Sequence, residues 1–452
     1  MARRLMQLRG TLAPVVLAVV LPLTVLTACS EDREPVATPS ASPTPPPVDD
    51  PAKLTLGVWG SPAEVTAYGE VVRMYNASTD AADVTLASWP DDASMTAALE
   101  AGQPVPDVFL VSRGDMEQLR ADDRVSPVDN YLDARAVDLG DEYSRQALEA
   151  FSADGRLLCM PYGVSPKVIF YNTDLVDFPR MEATGLEVPT SKDHRSWSME
   201  QFVTAATFAT TIRPGVKGFA IEPSLKGLAP FVLAAGGRIA DDADEPSALA
   251  FSDDDTRDAL ETLLPILRTP EISLAPDELG NGTILGRFKR GRLGMMVGDR
   301  SLVPELRAVP NLRWDVMPIP SIDGAATIGD YTALCISRES ERREDAADLM
   351  VGLASEALLE PVAATGHLVP VNQKVALSDD FLQRTQQPLH AQVFVNSVRS
   401  MEILPFTHEW PALEAAAAAP LRQLFAAGPT VDIDAITEQV DAAAETVLQP
   451  GS

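Results

Sequence analysis

Short alternating apolar runs and stretches of helical spacing take turns along most of the chain. Lys53-Leu-Thr-Leu-Gly-Val-Trp59 alternates and predicts a first strand. In the Gly60-Ser61-Pro62-Ala63-Glu64 that follows, Ser61 suits an N-cap, Pro62 the first helical position, and Glu64 completes a capping box. Val65, Tyr68, Val72 and Tyr75 then recur at helical spacing as a buried stripe. Ala82–Trp89 predicts a second strand, Met95–Ala101 a helix, Pro106–Val111 a third strand and Asp115–Ala121 another helix. This alternation predicts an α/β lobe with a mostly parallel sheet. Further along, Phe202, Ala205, Ala206 and Ala209 mark the apolar face of a helix, and Lys217–Ile221 predicts a strand. Ala412–Ala419 and Ile436–Leu448 read as closing helices, and Trp197 and Trp314 as core residues.

The stretch Gly155–Leu175 breaks this rhythm. Asp154-Gly155 reads as a tight turn, and two apolar runs follow, Leu157–Met160 and Val168–Tyr171. Between them, Pro161-Tyr-Gly-Val-Ser-Pro166 suits neither a helix nor a central strand. The pattern predicts a chain that leaves one sheet, crosses a gap and enters another. At 452 residues, two lobes are the natural expectation.

The N-terminal region adds a location. Arg3-Arg4 precedes an uncharged apolar run, Thr11–Thr27, ending in Leu26-Thr27-Ala28-Cys29. This matches a bacterial lipobox and predicts a signal peptide over 1–28, removed to leave a lipidated Cys29. Pro14, Pro22 and the short apolar length count against a membrane-spanning helix. Residues 29–52 read as a Pro- and Ser-rich tether, of which Ser30–Pro51 reaches about 70 Å when extended. The formal charge of −29 becomes −32 once Arg3, Arg4 and Arg9 leave, which argues against nucleic acid as a partner.

Little else points to chemistry. His194, His367, His390 and His408 form no paired-ligand motif, and phosphate-binding glycine loops are absent. The acids after Ser252 lack calcium-loop spacing. No metal, cofactor or catalytic residue is expected. Cys159 and Cys335 fall on strands beside crossings; a disulfide and two buried thiols both stay open.

Gly155-Arg156, Pro161-Tyr162 and Tyr171-Asn172-Thr173-Asp174-Leu175 stand in the order found in family 1 extracellular solute-binding proteins, the maltose-binding-protein-like receptors of ABC importers. The chain resembles that family elsewhere too. Pro106-Asp107-Val108, Ser196-Trp197-Ser198-Met199-Glu200, Phe288–Gly298 and Gly366–Asn372 all match family phrases, so the resemblance covers about residues 53–450. It implies a two-lobed α/β fold of the type II periplasmic-binding-protein kind, with three interlobe crossings and a central ligand cleft. The expected division gives 53–161 and 332–368 to lobe 1, and 162–331 and 369–452 to lobe 2.

Parallel sheets place ligands beyond their strand carboxyl ends. That puts Trp59, Gly60 and Ser61 at the rim of lobe 1, with free helix amides beside them, and Ser112 and Arg113 at the end of strand 3. Tyr162, Asp330 and Tyr331 belong to crossings and should line the floor, with Gly298, Asp299 and Trp410 contributed from lobe 2. The resemblance implies a polar solute, most often a sugar or oligosaccharide, captured by a monomeric receptor with ABC permeases as partners. It places the receptor on the extracellular face of the membrane, held by its lipid. Two other readings are an adaptor or sensor of the same fold without transport, and a secreted hydrolase using Asp299 and Asp330.

Overall fold

A computed structural model describes residues 51–189, 194–242, 246–280, 282–404, 409–426 and 432–449. The signal-peptide, lipobox and most of the tether readings, and that of His408, lie outside the described residues. Among those described, no helix is long and apolar enough to cross a membrane.

The described residues form fourteen strands: β1 Ala52–Trp59, β2 Ala82–Trp89, β3 Val108–Ser112, β4 Val125–Ser126, β5 Ser152–Ala153, β6 Arg156–Leu157, β7 Met160–Pro166, β8 Val168–Asn172, β9 Lys217–Ala220, β10 Leu293–Gly298, β11 Trp314–Met317, β12 Thr327–Ser337, β13 Val369–Pro370 and β14 Met401–Glu402. An eight-stranded sheet runs β13-β7-β12-β3-β1-β2, with β4 and β14 also pairing β12, and a four-stranded sheet runs β11-β8-β10-β9. β5 and β6 form a separate hairpin around the Asp154-Gly155 turn. The larger sheet is mixed. β2, β1 and β3 are parallel as the alternation predicts, but β12 returns antiparallel to β3, and β7 antiparallel to β12.

One expectation shifts. The Pro161–Pro166 segment is a strand inside the sheet, not a gap-crossing loop. Its prolines are tolerated because the neighbour β13 reaches only Gly163 and Val164, while the β12 register slips between Thr332 and Ala333 beside Pro161. The chain changes sheets at Lys167, between β7 and β8, and returns at Thr327. The expected boundaries at 161/162 and 331/332 therefore fall inside β7 and β12.

Side-chain alternation splits the smaller sheet between two cores. Phe170, Met296 and Val316 join a cluster that continues from Leu56, Val108 and Leu334 of the larger sheet. Ile169, Met295 and Met317 face the other way, onto Phe202, Phe219 and Phe231. Cys159, just before β7, and Cys335 of β12 are disulfide-bonded, their Cα atoms 4.5 Å apart, and both are fully buried.

Candidate functional site

The β1–α1 turn carries the candidate site, where α1 is the helix Pro62–Ser78. Gly60 adopts φ +150, a region that disfavours side chains, and its amide donates to Trp89 O at 3.2 Å. Ser61 caps the helix: Glu64 N donates to Ser61 Oγ at 3.3 Å, and Ser61 N donates to Glu64 Oε2 at 2.9 Å. The capping box is thus complete, and it occupies two of the amides expected to be free for a ligand. The third return of the chain closes on this turn, since His367 Nε2 lies 3.0 Å from Ser61 Oγ and His367 Nδ1 lies 3.7 Å from Glu64 Oε2.

Beside this polar cluster stands an aromatic edge. β1 and β2 pair in register to their ends, so Trp59 and Trp89 are neighbours at the carboxyl edge of the sheet. Both are half-buried, and Trp59 Nε1 donates to Leu110 O at 3.3 Å across β3. Ser112 Oγ donates to Asp115 Oδ2 at 2.7 Å at the end of β3; burial pushes the Asp115 carboxyl up, against that hydrogen bond. Arg113 opens the 3-10 turn that follows, and its charge bears on the Tyr331 hydroxyl.

Under the turn lie Tyr68 of α1, Tyr162 of β7 and Tyr331 of β12. The first two rings are 6.3 Å apart, each side chain is 1% exposed, and none of the three hydroxyls makes a hydrogen bond of normal geometry. Burial raises all three hydroxyl pKa values, and the Glu64 carboxylate adds to the effect on Tyr68 and Tyr162.

The residues expected from the other side do not join this group. Gly298 is packed inside β10, where an added Cβ would lie 2.6 Å from Leu302 Cδ1 and 3.0 Å from Phe170. Trp410 opens the helix Trp410–Ala426 and is buried in the second core. Asp299 ends β10 and is committed: Oδ2 pairs with Lys167 Nζ at 2.6 Å, and Oδ1 accepts from Ser301 N at 3.0 Å. Burial opposes both charges, yet the pair holds Asp299 below the ordinary carboxylate range and Lys167 above its own. Asp330 is exposed on β12, where it adds to the field on Lys167. Trp89, Glu64, Tyr68 and His367 were absent from the sequence-predicted set. Trp89 shared the signal that marked Trp59, an indole closing a parallel strand; Ser61 and His367 are 306 residues apart and share none.

Among the described residues, one metal-like group also emerges. His194 and His390, unpaired in sequence, stack at 3.6 Å and 23° beside Asp315, whose Oδ2 is 2.7 Å from His390 Nδ1. Ligand atoms of the three lie within 4.8 Å of one another. Imidazole lone pairs lie in the ring plane, and planes so nearly parallel meet well beyond a metal–nitrogen bond of about 2.1 Å. Asp315 also accepts the Val316 and His390 amides, so the group serves to cover the edge strand β11.

Comparison with known proteins supports the architecture. A sugar-binding MalE from Xanthomonas citri superposes with TM-score 0.71 at 19% identity, covering 88% of this chain and 98% of that one. The cyclic α-maltosyl-1,6-maltose binding protein of Arthrobacter globiformis gives 0.70 at 18%, covering 89% and 100%. A Listeria monocytogenes ABC substrate-binding protein in complex with cycloalternan gives 0.69 at 18%, covering 88% and 99%. A sequence search of curated proteins returns no significant match. The two-lobed fold is therefore that of periplasmic-binding-type proteins. Residues 70–388 match the family model for bacterial extracellular solute-binding proteins, and the chain belongs to that family of binders, not enzymes.

Proposed function

We propose that this protein is the solute-capturing subunit of an ABC importer, that its solute is a sugar or oligosaccharide, and that it works as a monomer delivering to membrane permeases. The observation that carries the reading is the Trp59–Trp89 edge beside the Ser61–Glu64–His367 cluster. Indoles suit the C–H faces of a sugar ring, and a carboxylate, hydroxyl and imidazole suit its hydroxyls. The three solved structures of like fold are a sugar-binding protein, a cyclic α-maltosyl-1,6-maltose binding protein and a substrate-binding protein in complex with cycloalternan. Lobes dividing near Lys167, Thr327 and Val371 would close over the site by small rotations in those connectors.

Trp59→Ala is expected to weaken binding by about 1–3 kcal/mol. Calorimetry would use the saccharide selected from a thermal-shift screen of maltooligosaccharides and simple sugars. A large loss of unliganded stability with unchanged affinity would make Trp59 a core residue and overturn its role. The buried Tyr162 and Tyr331 favour a second reading, an adaptor or sensor with a sealed cleft. Wild-type protein unshifted by every sugar in the screen would select it.

Anchoring is the other half of the proposal. Cys29 carries the lipid, and the tether lets the body move above the membrane. Cys29→Ser is expected to move the protein to the medium or leave the precursor uncut in cell fractions. Membrane retention of fully processed Cys29→Ser protein would overturn the anchor.

A further inference from the structure

Arg300 and Arg307 are two neighbouring cations without a carboxylate partner among the described residues. They lie seven residues apart on one helical run, a 3-10 turn Arg300–Leu302 continuing into the helix Val303–Arg307, which brings them to the same face. The Arg300 side chain is fully buried, against Phe381 and Phe394. Its Nη2 donates to Phe381 O at 2.9 Å, and its plane lies over the Phe381 and Phe394 rings, at 4.4 and 5.3 Å. Nε and Nη1 have no acceptor. Arg307 Nε donates to Gln387 O at 2.6 Å and Nη1 to Gln383 Oε1, while its Nη2 is buried without an acceptor. Among the described residues, no carboxylate pairs with either guanidinium, in a chain with a net charge of −29.

We propose that these two arginines hold a small monovalent anion of chloride size inside the protein. One fully buried charge beside a half-buried like charge, without a counter-charge, is costly, and removing arginine's proton is not an easy escape. Burial, with Arg307's charge adding to it, pushes Arg300 down only to about 9, so it stays cationic at neutral pH. The aromatic faces offset part of the cost but leave the N–H edges unserved. A water would supply an acceptor without charge; an anion supplies both. The apolar walls leave little to solvate a large polyatomic ion. A surface groove of about 540 Å³ is lined in part by Leu306, Arg307, Asn311 and Gln387, so it reaches the Arg307 end of the pair. The third crossing rests on the same helix, because a Cβ at Gly366 would lie 3.7 Å from Arg307 Nη1.

Thermal unfolding of the mature chain in sodium chloride against sodium gluconate, at fixed ionic strength, tests this. Chloride should raise the midpoint saturably by about 2–4 °C. Arg300→Met should lose that response and melt no lower than wild type in gluconate, since an apolar replacement of an unpaired buried charge is neutral or stabilising. Bromide-soaked wild-type crystals should show an anomalous peak beside the Arg300 guanidinium. An equal chloride response in Arg300→Met, or only water at the guanidinium in bromide, would overturn the proposal. If Arg300→Met does not fold, the bromide experiment decides alone.

Discussion

Replacing Cys159 and Cys335 together by alanine is expected to cost about 5 kcal/mol of unfolding free energy, because their bond closes a loop with a sequence separation of 176 residues. The chain-entropy term grows with the logarithm of loop length, which places this bond near the top of the usual range. Two buried sulfur sites also lose contacts, including that of Cys159 Sγ with Met116 Sδ at 3.6 Å. Guanidinium unfolding of the double variant against wild type, both under non-reducing conditions, measures the loss. Solute affinity should be unchanged at temperatures where the variant stays folded. The bond sits at the far end of β7 from Lys167, about 25 Å of strand away from the crossing, so it ties the sheet together without locking the connectors. A variant of wild-type stability would show that β7 and β12 are held by their ladder and packing alone.

What could be read beforehand follows the range of the interaction. Ser61, Pro62 and Glu64 spell the start of α1 within four residues, and the structure has that capping box. Ala82–Trp89 forms the strand its alternation predicts. The Pro161–Pro166 strand was not legible, because whether a proline breaks a ladder depends on the neighbour's length and register, here a two-residue β13 and a slip in β12. The same holds at the site. Trp59 was visible as the end of a strand, but the amides beside it were expected both to complete a capping box and to remain free, and they do the first. His367 reaches Ser61, and Lys167 reaches Asp299, across 306 and 132 residues. Nothing local announces either contact. Asp299 therefore looked like a group awaiting a ligand when its partner is already in the chain.

Asp299→Asn is expected to cost about 2–3 kcal/mol. Breaking a fully buried ion pair costs more, but the Lys167 and Asp299 side chains here keep 24% and 17% exposure, so solvent recovers part of the loss. Removing the carboxylate leaves the Lys167 ammonium between β7 and β8 with the weaker field of the exposed Asp330, and it loosens the cap on Ser301. The acid limb of the stability profile gives a second readout. The folded-state pKa of Asp299 is depressed, so its contribution is fully present above the unfolded carboxyl pKa of about 4 and is lost as pH falls through the folded value. Wild type should therefore lose more stability than Asp299→Asn below about pH 4, and the two curves should converge there. Asp253→Asn is the control: its pair with Arg238 is 40% and 59% exposed and should be worth under about 1 kcal/mol. Affinity separates the remaining alternative. With Oδ2 held by Lys167 and Oδ1 by Ser301, Asp299 has little left to offer a sugar, so Asp299→Asn should bind as wild type does once folded. A tenfold loss of affinity at unchanged stability would make Asp299 a ligand group and dissolve the ion pair as its explanation.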